Sequence, residues 1–221
     1  MQTFGTMAPR RVLASTSGRK AAAAISGVFM AGWLVMHVLG NLTAFGGARR
    51  MDGYAAALRR LGPGLWLVRA GLLAAAIVHV TATVSLARQA RAARPVRAVR
   101  RFSRASMPSR AAIVVGPLLL LFTGYHLLHL TFGVLHPAFE PAHVYANVVA
   151  GLRAPTIAGV YVFASALVGV HLYRGLVSAG ATLGVPRVTN AVPRAGAAAV
   201  AVTVAAAFAS IPMAVLTGVV R

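Results

Sequence analysis

Five stretches of predominantly apolar residues, at about 21–44, 65–88, 111–135, 155–180 and 195–219, alternate with short segments rich in Gly, Pro and Arg. An α-helix needs roughly 20 residues to cross a hydrocarbon layer about 30 Å thick, and each stretch is long enough. The pattern predicts five membrane-spanning helices. The breaks carry turn and helix-start residues: Gly62-Pro63-Gly64 before the second stretch, Pro108 before the third, Pro155 at the head of the fourth, and Pro186 and Pro193 before the fifth. The first stretch is too long for the apolar core of a signal peptide and holds His37, so it reads as a retained helix. No connecting segment is long enough to fold separately, so residues 1–221 are expected to form a single all-α integral membrane domain, a five-helix bundle. Span five has neither histidine nor acid and is expected to pack the bundle, with Pro212 as a kink.

Composition sharpens this picture. The chain is 58% hydrophobic and only 11% charged, which sets it apart from soluble domains of its length. Its formal charge of +20 rests on 22 Lys and Arg against only Asp52 and Glu140. Such a charge raises the question of nucleic acid, but the basic residues flank apolar spans, where they contact anionic lipid and set orientation. With the N-terminus inside, the inner side carries Arg10, Arg11, Arg19, Lys20, eight arginines from Arg88 to Arg110, Arg174, Arg187 and Arg194. The outer side keeps Arg49, Arg50, Arg59, Arg60, Arg69, Arg153 and Arg221. The imbalance favours a cytoplasmic N-terminus and an external C-terminus. The absence of cysteine excludes disulfides, thiolate haem ligands and Cys-ligated iron–sulfur clusters from this chain.

Four histidines, His37, His79, His126 and His171, lie in four different spans. An ionisable group at lipid depth is costly and needs a partner, so four of them on separate helices suggest two pairs. Helix rise places His37 and His126 about 22 to 24 Å from the inner surface, and His79 and His171 about 13 Å from it. Depth alone therefore pairs His37 with His126 and His79 with His171, about 10 Å apart along the membrane normal. Two bis-histidine pairs in a helical bundle are what two b-type haems require. Neutral imidazole binds haem iron, and its second nitrogen is expected to be held by a backbone carbonyl one turn earlier on the same helix. Gly40, Thr83, Thr123 and Gly175 lie near the four histidines and would leave room for a flat macrocycle, although small residues serve ordinary helix packing equally well. Arg174 and Lys20 are candidate cations for the propionates of the inner haem, in competition with lipid headgroups.

The stretches His37-Val-Leu-Gly-Asn41-Leu, Tyr125-His126-Leu-Leu-His129-Leu-Thr131, Val144-Tyr145-Ala-Asn147-Val-Val and His171-Leu-Tyr-Arg-Gly175-Leu-Val-Ser178 resemble the di-haem cytochrome b subunit of bacterial succinate dehydrogenases and fumarate reductases. The resemblance runs through essentially the whole chain. It implies a subunit of the bacterial inner (cytoplasmic) membrane that anchors a flavoprotein subunit and an iron–sulfur subunit on the cytoplasmic side. FAD and the clusters would belong to those partners, and this chain would hold no succinate site. Electrons would pass through two haems b to a quinone, with menaquinone expected. The family's axial ligands fall on His37 and His126 for the outer haem and on His79 and His171 for the inner one. Some relatives carry a transmembrane glutamate two residues before the last ligand. Here that position is Gly169, so a glutamate proton route of that kind is not expected. His129, one turn beyond His126, is the alternative ligand, and the depth match favours His126.

Quinone reduction needs groups that hydrogen-bond the carbonyls and deliver protons. Asp52 and His129, both expected toward the outer side, are the candidates, with Asp52 equally readable as a loop acid paired with Arg49 or Arg50. His136 and His143 read as solvated loop residues, and Asn41 and Asn147 as helix-terminating residues. The basic segment from Arg88 to Arg110 suits lipid or an iron–sulfur partner. The same subunit would also serve a quinol:fumarate reductase, and a cytochrome b anchor of a hydrogenase or formate dehydrogenase is a second redox reading. A histidine-lined metal transporter is the non-redox alternative, disfavoured because divalent cations in lipid need carboxylates that the spans lack.

Overall fold

The computed structural model describes residues 15–93, 107–186 and 190–221, and for 107–113 the backbone alone. Arg10, Arg11, the arginines from Arg94 to Arg104, and Arg187 fall outside the described residues, as does the side chain of Arg110. The described residues form seven α-helices in order: α1 (Thr16–Leu42), α2 (Ala48–Arg59), α3 (Pro63–Ala92), α4 (Met107–His126), α5 (Val144–Leu152), α6 (Pro155–Thr182) and α7 (Ala191–Leu216). A 3-10 turn (Thr43–Gly46) extends α1, and a π-helical segment (Leu127–Thr131) extends α4. Among the described residues there is no β-strand.

Local chemistry accounts for the starts. Ser15 caps α1 by accepting a hydrogen bond from the Gly18 amide at 3.0 Å. Pro63 and Pro155 occupy the first turns of α3 and α6, where a missing N–H costs nothing. Gly62, just before Pro63, takes a φ of 51°, a conformation open to glycine.

Among the described residues five helices are long and apolar enough to cross a membrane: α1 with its extension, α3, α4 with its π segment, α6 and α7. Much of their apolar surface faces outward, with Leu67 74%, Leu121 72% and Val202 67% exposed. In water each exposed Å² would cost about 25 cal/mol, so these faces suit hydrocarbon, and the chain is a multi-pass membrane protein. The expected spans match within a few residues, except that the third closes at Thr131 instead of 135 and helices α2 and α5 lie where only linkers were read. These two are short, and neither has the length that marks a span.

Helix α6 forms the broadest contact with α7, through small side chains. Ala158, Ala164 and Ala201 are buried, and a Cβ on Gly169 would lie 3.0 Å from that of Ala205. Helix α1 packs against α3, α6 and α7, and α4 packs against α6. At one end, α2 and α5 meet over a core that includes Met51, Val148, Leu152, Tyr161 and Ile211. Asp52 Oδ1 accepts from the Tyr145 amide at 2.9 Å, and the Tyr145 hydroxyl donates to the Arg221 carbonyl at 2.9 Å. The C-terminal ends of α1, α4 and α7 therefore lie on one side. Pro212 sits within α7, which continues past it to Leu216.

Candidate functional site

The four intramembrane histidines meet in two pairs. The ring centroids of His37 (α1) and His126 (α4) are 5.9 Å apart, with planes at 82°. Those of His79 (α3) and His171 (α6) are 6.2 Å apart, with planes at 72°. These are the partnerships that depth arithmetic selects. Neither pair follows from broad helix packing, because α1 scarcely touches α4 and α3 scarcely touches α6 except through these rings. The neighbouring helices hold them in place: α1 and α6 pack together, α3 leans on α1, and α4 leans on α6.

This spacing has room for one metal ion between the two imidazoles of a pair. A metal–imidazole nitrogen bond is about 2 Å, and a ring nitrogen lies about 1 Å from its ring centre, so two imidazoles that would share a metal have centroids about 6 Å apart. Free nitrogens are present as well. The buried Nδ1 of His126 has no hydrogen-bond partner. At His37 the fit is tighter, since the Asn41 amide nitrogen lies 3.2 Å from Nε2 while also donating to the His37 carbonyl at 2.8 Å. Among the described residues no cluster of three or more His, Asp or Glu is placed to hold a metal ion.

The two pairs differ in surroundings. Trp33 stacks on His37 at 6.0 Å and Phe208 of α7 lies 5.8 Å from it. Phe122 stacks on His126 at 6.0 Å, and Tyr161 of α6 lies edge-on at 5.9 Å. The second pair is set instead against the backbone of α1. His79 Nδ1–H donates to the Ala23 carbonyl at 3.0 Å, with Ser26 Oγ at 3.4 Å. This departs from the expected same-helix carbonyl: α3 packs against α1, which brings the Ala23 carbonyl alongside the ring. The contacts of His79 with Ala23–Gly27 put its site 10 to 14 residues below His37 on α1, about 15 to 20 Å by helix rise and more than the 10 Å read from span ends.

His129 is not the partner of His37. It lies on the π segment, is 2% exposed, and its Nδ1 is hydrogen-bonded to the Tyr161 hydroxyl at 2.9 Å. Tyr125 stacks on it at 5.4 Å and His136 lies at 5.3 Å. His136 is not simply solvated: its Nδ1 accepts from the Ala138 amide at 3.1 Å, so Nε2 carries the hydrogen donated to the Asn147 carbonyl at 2.8 Å. His143 is exposed and pairs with Glu140 at 2.7 Å. Asn147, expected at a helix end, is buried inside α5 and ties down Glu140 through both its amide groups. Asp52 pairs with neither Arg49 nor Arg50. It supplies the N-terminal cap of α5 through the Tyr145 amide.

The small residues resolve into separate roles. Gly40 makes room for the Tyr54 ring, and Thr83 and Thr123 return their hydroxyls to the carbonyls of His79 and Leu119. Gly175, one turn past His171, borders open space. Arg174 also follows His171 on α6, and its buried Nη1 has no partner. Lys20 is exposed near the start of α1. Legible signals existed for Trp33 and Phe122, each four residues before a pair histidine, whereas Phe208 and Tyr161 become neighbours only through folding. No protein-family model, curated protein or solved structure matches this chain.

Proposed function

We propose that this chain is the di-haem cytochrome b anchor of a succinate:quinone oxidoreductase, with His37 and His126 binding one haem b and His79 and His171 the other. The observation that carries the reading is the pair of imidazole–imidazole spacings, 5.9 and 6.2 Å, at two levels of a membrane bundle. A pairwise arrangement, across helices that otherwise stand apart, favours this redox role over histidine-lined metal transport.

When bound, haem supplies a one-electron carrier inside the hydrocarbon layer. The protein's part is to hold the four imidazoles, keep each ring oriented and exclude water. Trp33, Phe122, Tyr161 and Phe208 form an apolar wall around the outer pair. Near the inner pair, Arg174 has an unused buried donor that suits a propionate carboxylate, and exposed Lys20 is a second cation on that side. In this reading the N-terminus faces the cytoplasm of a bacterial inner membrane, where a flavoprotein subunit with FAD and an iron–sulfur subunit dock, and menaquinone exchanges electrons near the outer pair. The same arrangement serves fumarate reduction with the direction reversed. Asp52 Oδ1 and His129 Nδ1 have structural bonds in place, so a direct quinone role for either would run through Asp52 Oδ2 or His129 Nε2.

The test is the reduced-minus-oxidised optical spectrum with pyridine-haemochrome stoichiometry on the purified chain. Two low-spin haems b per chain, with one lost in each of His37→Ala, His79→Ala, His126→Ala and His171→Ala, is the expected result. A well-folded protein without haem after expression with ample haem supply overturns the reading. Co-purification of flavin and iron–sulfur subunits that oxidise succinate separates it from a hydrogenase or formate dehydrogenase anchor.

A further inference from the structure

Helix α1 contributes no side-chain ligand to the His79–His171 pair, yet it makes the closest polar contacts with His79. The Ala23 carbonyl lies 3.0 Å from His79 Nδ1. A carbonyl only accepts, so Nδ1 carries the hydrogen and Nε2 the lone pair. Ser26 is buried, and its hydroxyl donates to the Ala22 carbonyl at 2.6 Å. With its hydrogen so engaged, the Ser26 oxygen offers His79 Nδ1–H a second acceptor at 3.4 Å. The ring can lie this close only because the next residue is glycine. A Cβ on Gly27 would stand 3.0 Å from His79 Cε1 and 3.2 Å from Nδ1.

We infer that Ala23, Ser26 and Gly27 form a positioning cradle that fixes the tautomer and ring orientation of His79, presenting Nε2 as its ligand nitrogen. Ser26 is then a positioning residue acting through His79, and Gly27 is the gap that admits the ring. An acceptor on the far nitrogen increases the basicity of a ligating imidazole and narrows its orientation. No equivalent exists at His126, whose Nδ1 is unpartnered, so the cradle distinguishes the two pairs. The ligand role of Nε2 rests on the di-haem reading; the tautomer and the ring contact do not.

Two measurements separate those levels. In the full chain freed of haem, labelled with ¹⁵N-histidine and assigned with His79→Gln, His79 is expected as the Nδ1–H tautomer. Gly27→Leu is expected to shift it toward Nε2–H or to a mixture. In this haem-free chain, a wild-type His79 found as Nε2–H, or an unchanged signature in Gly27→Leu, overturns the cradle. With haem bound, Ser26→Ala is expected to raise the midpoint potential of one haem and leave the other unchanged, and Ser26→Thr to restore it. Equal shifts of both haems, or of neither, overturn the positioning role of Ser26. A haem-free wild type defeats the di-haem reading, while the tautomer result still decides the cradle.

Discussion

The Tyr161 hydroxyl and His129 Nδ1 stand 2.9 Å apart, joining the first half of α6 to the π segment that closes α4. On a regular helix His126 and His129 would share a face, as residues three apart do. The wider π turn begins directly after His126, and Tyr161 takes up the second ring, leaving the first against His37. One hydrogen bond thus accompanies a division of labour between two histidines of the same segment. Such π turns recur at functional sites, where they re-aim a side chain.

Replacing His129 and His126 in turn tests that division. His126→Ala is expected to lower the haem content from two per chain to one, whereas His129→Gln retains two. Pyridine-haemochrome analysis of the purified variants reads the difference, and loss of haem in the His129 variant alone would reverse the assignment.

Tyr161→Phe leaves a buried ring nitrogen of His129 without its partner. Such a group costs about 1–3 kcal/mol, so a lower unfolding midpoint in detergent is expected with both haems retained. Gly151→Ala acts on the same cluster from the other side. Its added Cβ would lie 2.9 Å from His136 Nε2 and 3.0 Å from His129 Cε1, which predicts a similar loss of about 1–3 kcal/mol from overpacking.

Asp52 is read here as the cap of α5. Asp52→Ala should cost about 0.5–2 kcal/mol and Asp52→Asn much less, since both natural side chains cap well. Thermal unfolding of the variants provides the comparison. A large loss of quinone turnover in Asp52→Asn with unchanged stability would assign the carboxylate to chemistry instead.

Arg174 predicts opposite signs in two states of the protein. Without haem, Arg174→Met removes a buried, unpartnered donor and should be neutral or stabilising. On the di-haem proposal, the same change in the haem-loaded chain would remove a propionate partner and should speed the loss of one haem of the two. Unfolding of the haem-free chain and haem transfer to an acceptor protein measure the two effects. Equal destabilisation in both states would point to a packing role for the side chain.

The spans were legible because membrane helices advertise themselves by length and apolarity, and the pairing was legible because depth along a helix follows from residue count. What escaped was local and three-dimensional. Helices α2 and α5 are too short to stand out by hydropathy, and α5 owes its start to Asp52, 93 residues before Tyr145. Residue spacing points to a carbonyl on the helix of His79 itself, but the carbonyl of Ala23 belongs to another, and no periodicity within α3 announces it. Residue type alone suggests a terminator at Asn147, yet its two bonds to Glu140 fasten a loop from within α5.

Helix α1 carries His37 of one pair and the Ala23–Gly27 bed of the other, on one unbroken run of backbone from Thr16 to Leu42. It is a ruler for the whole membrane interior. The two sites share its graduations, about 1.5 Å and 100° per residue, so loop lengths elsewhere can drift without altering their separation. One residue inserted between Val28 and Met36 would turn one site about 100° away from the other, although every contact residue would still be present.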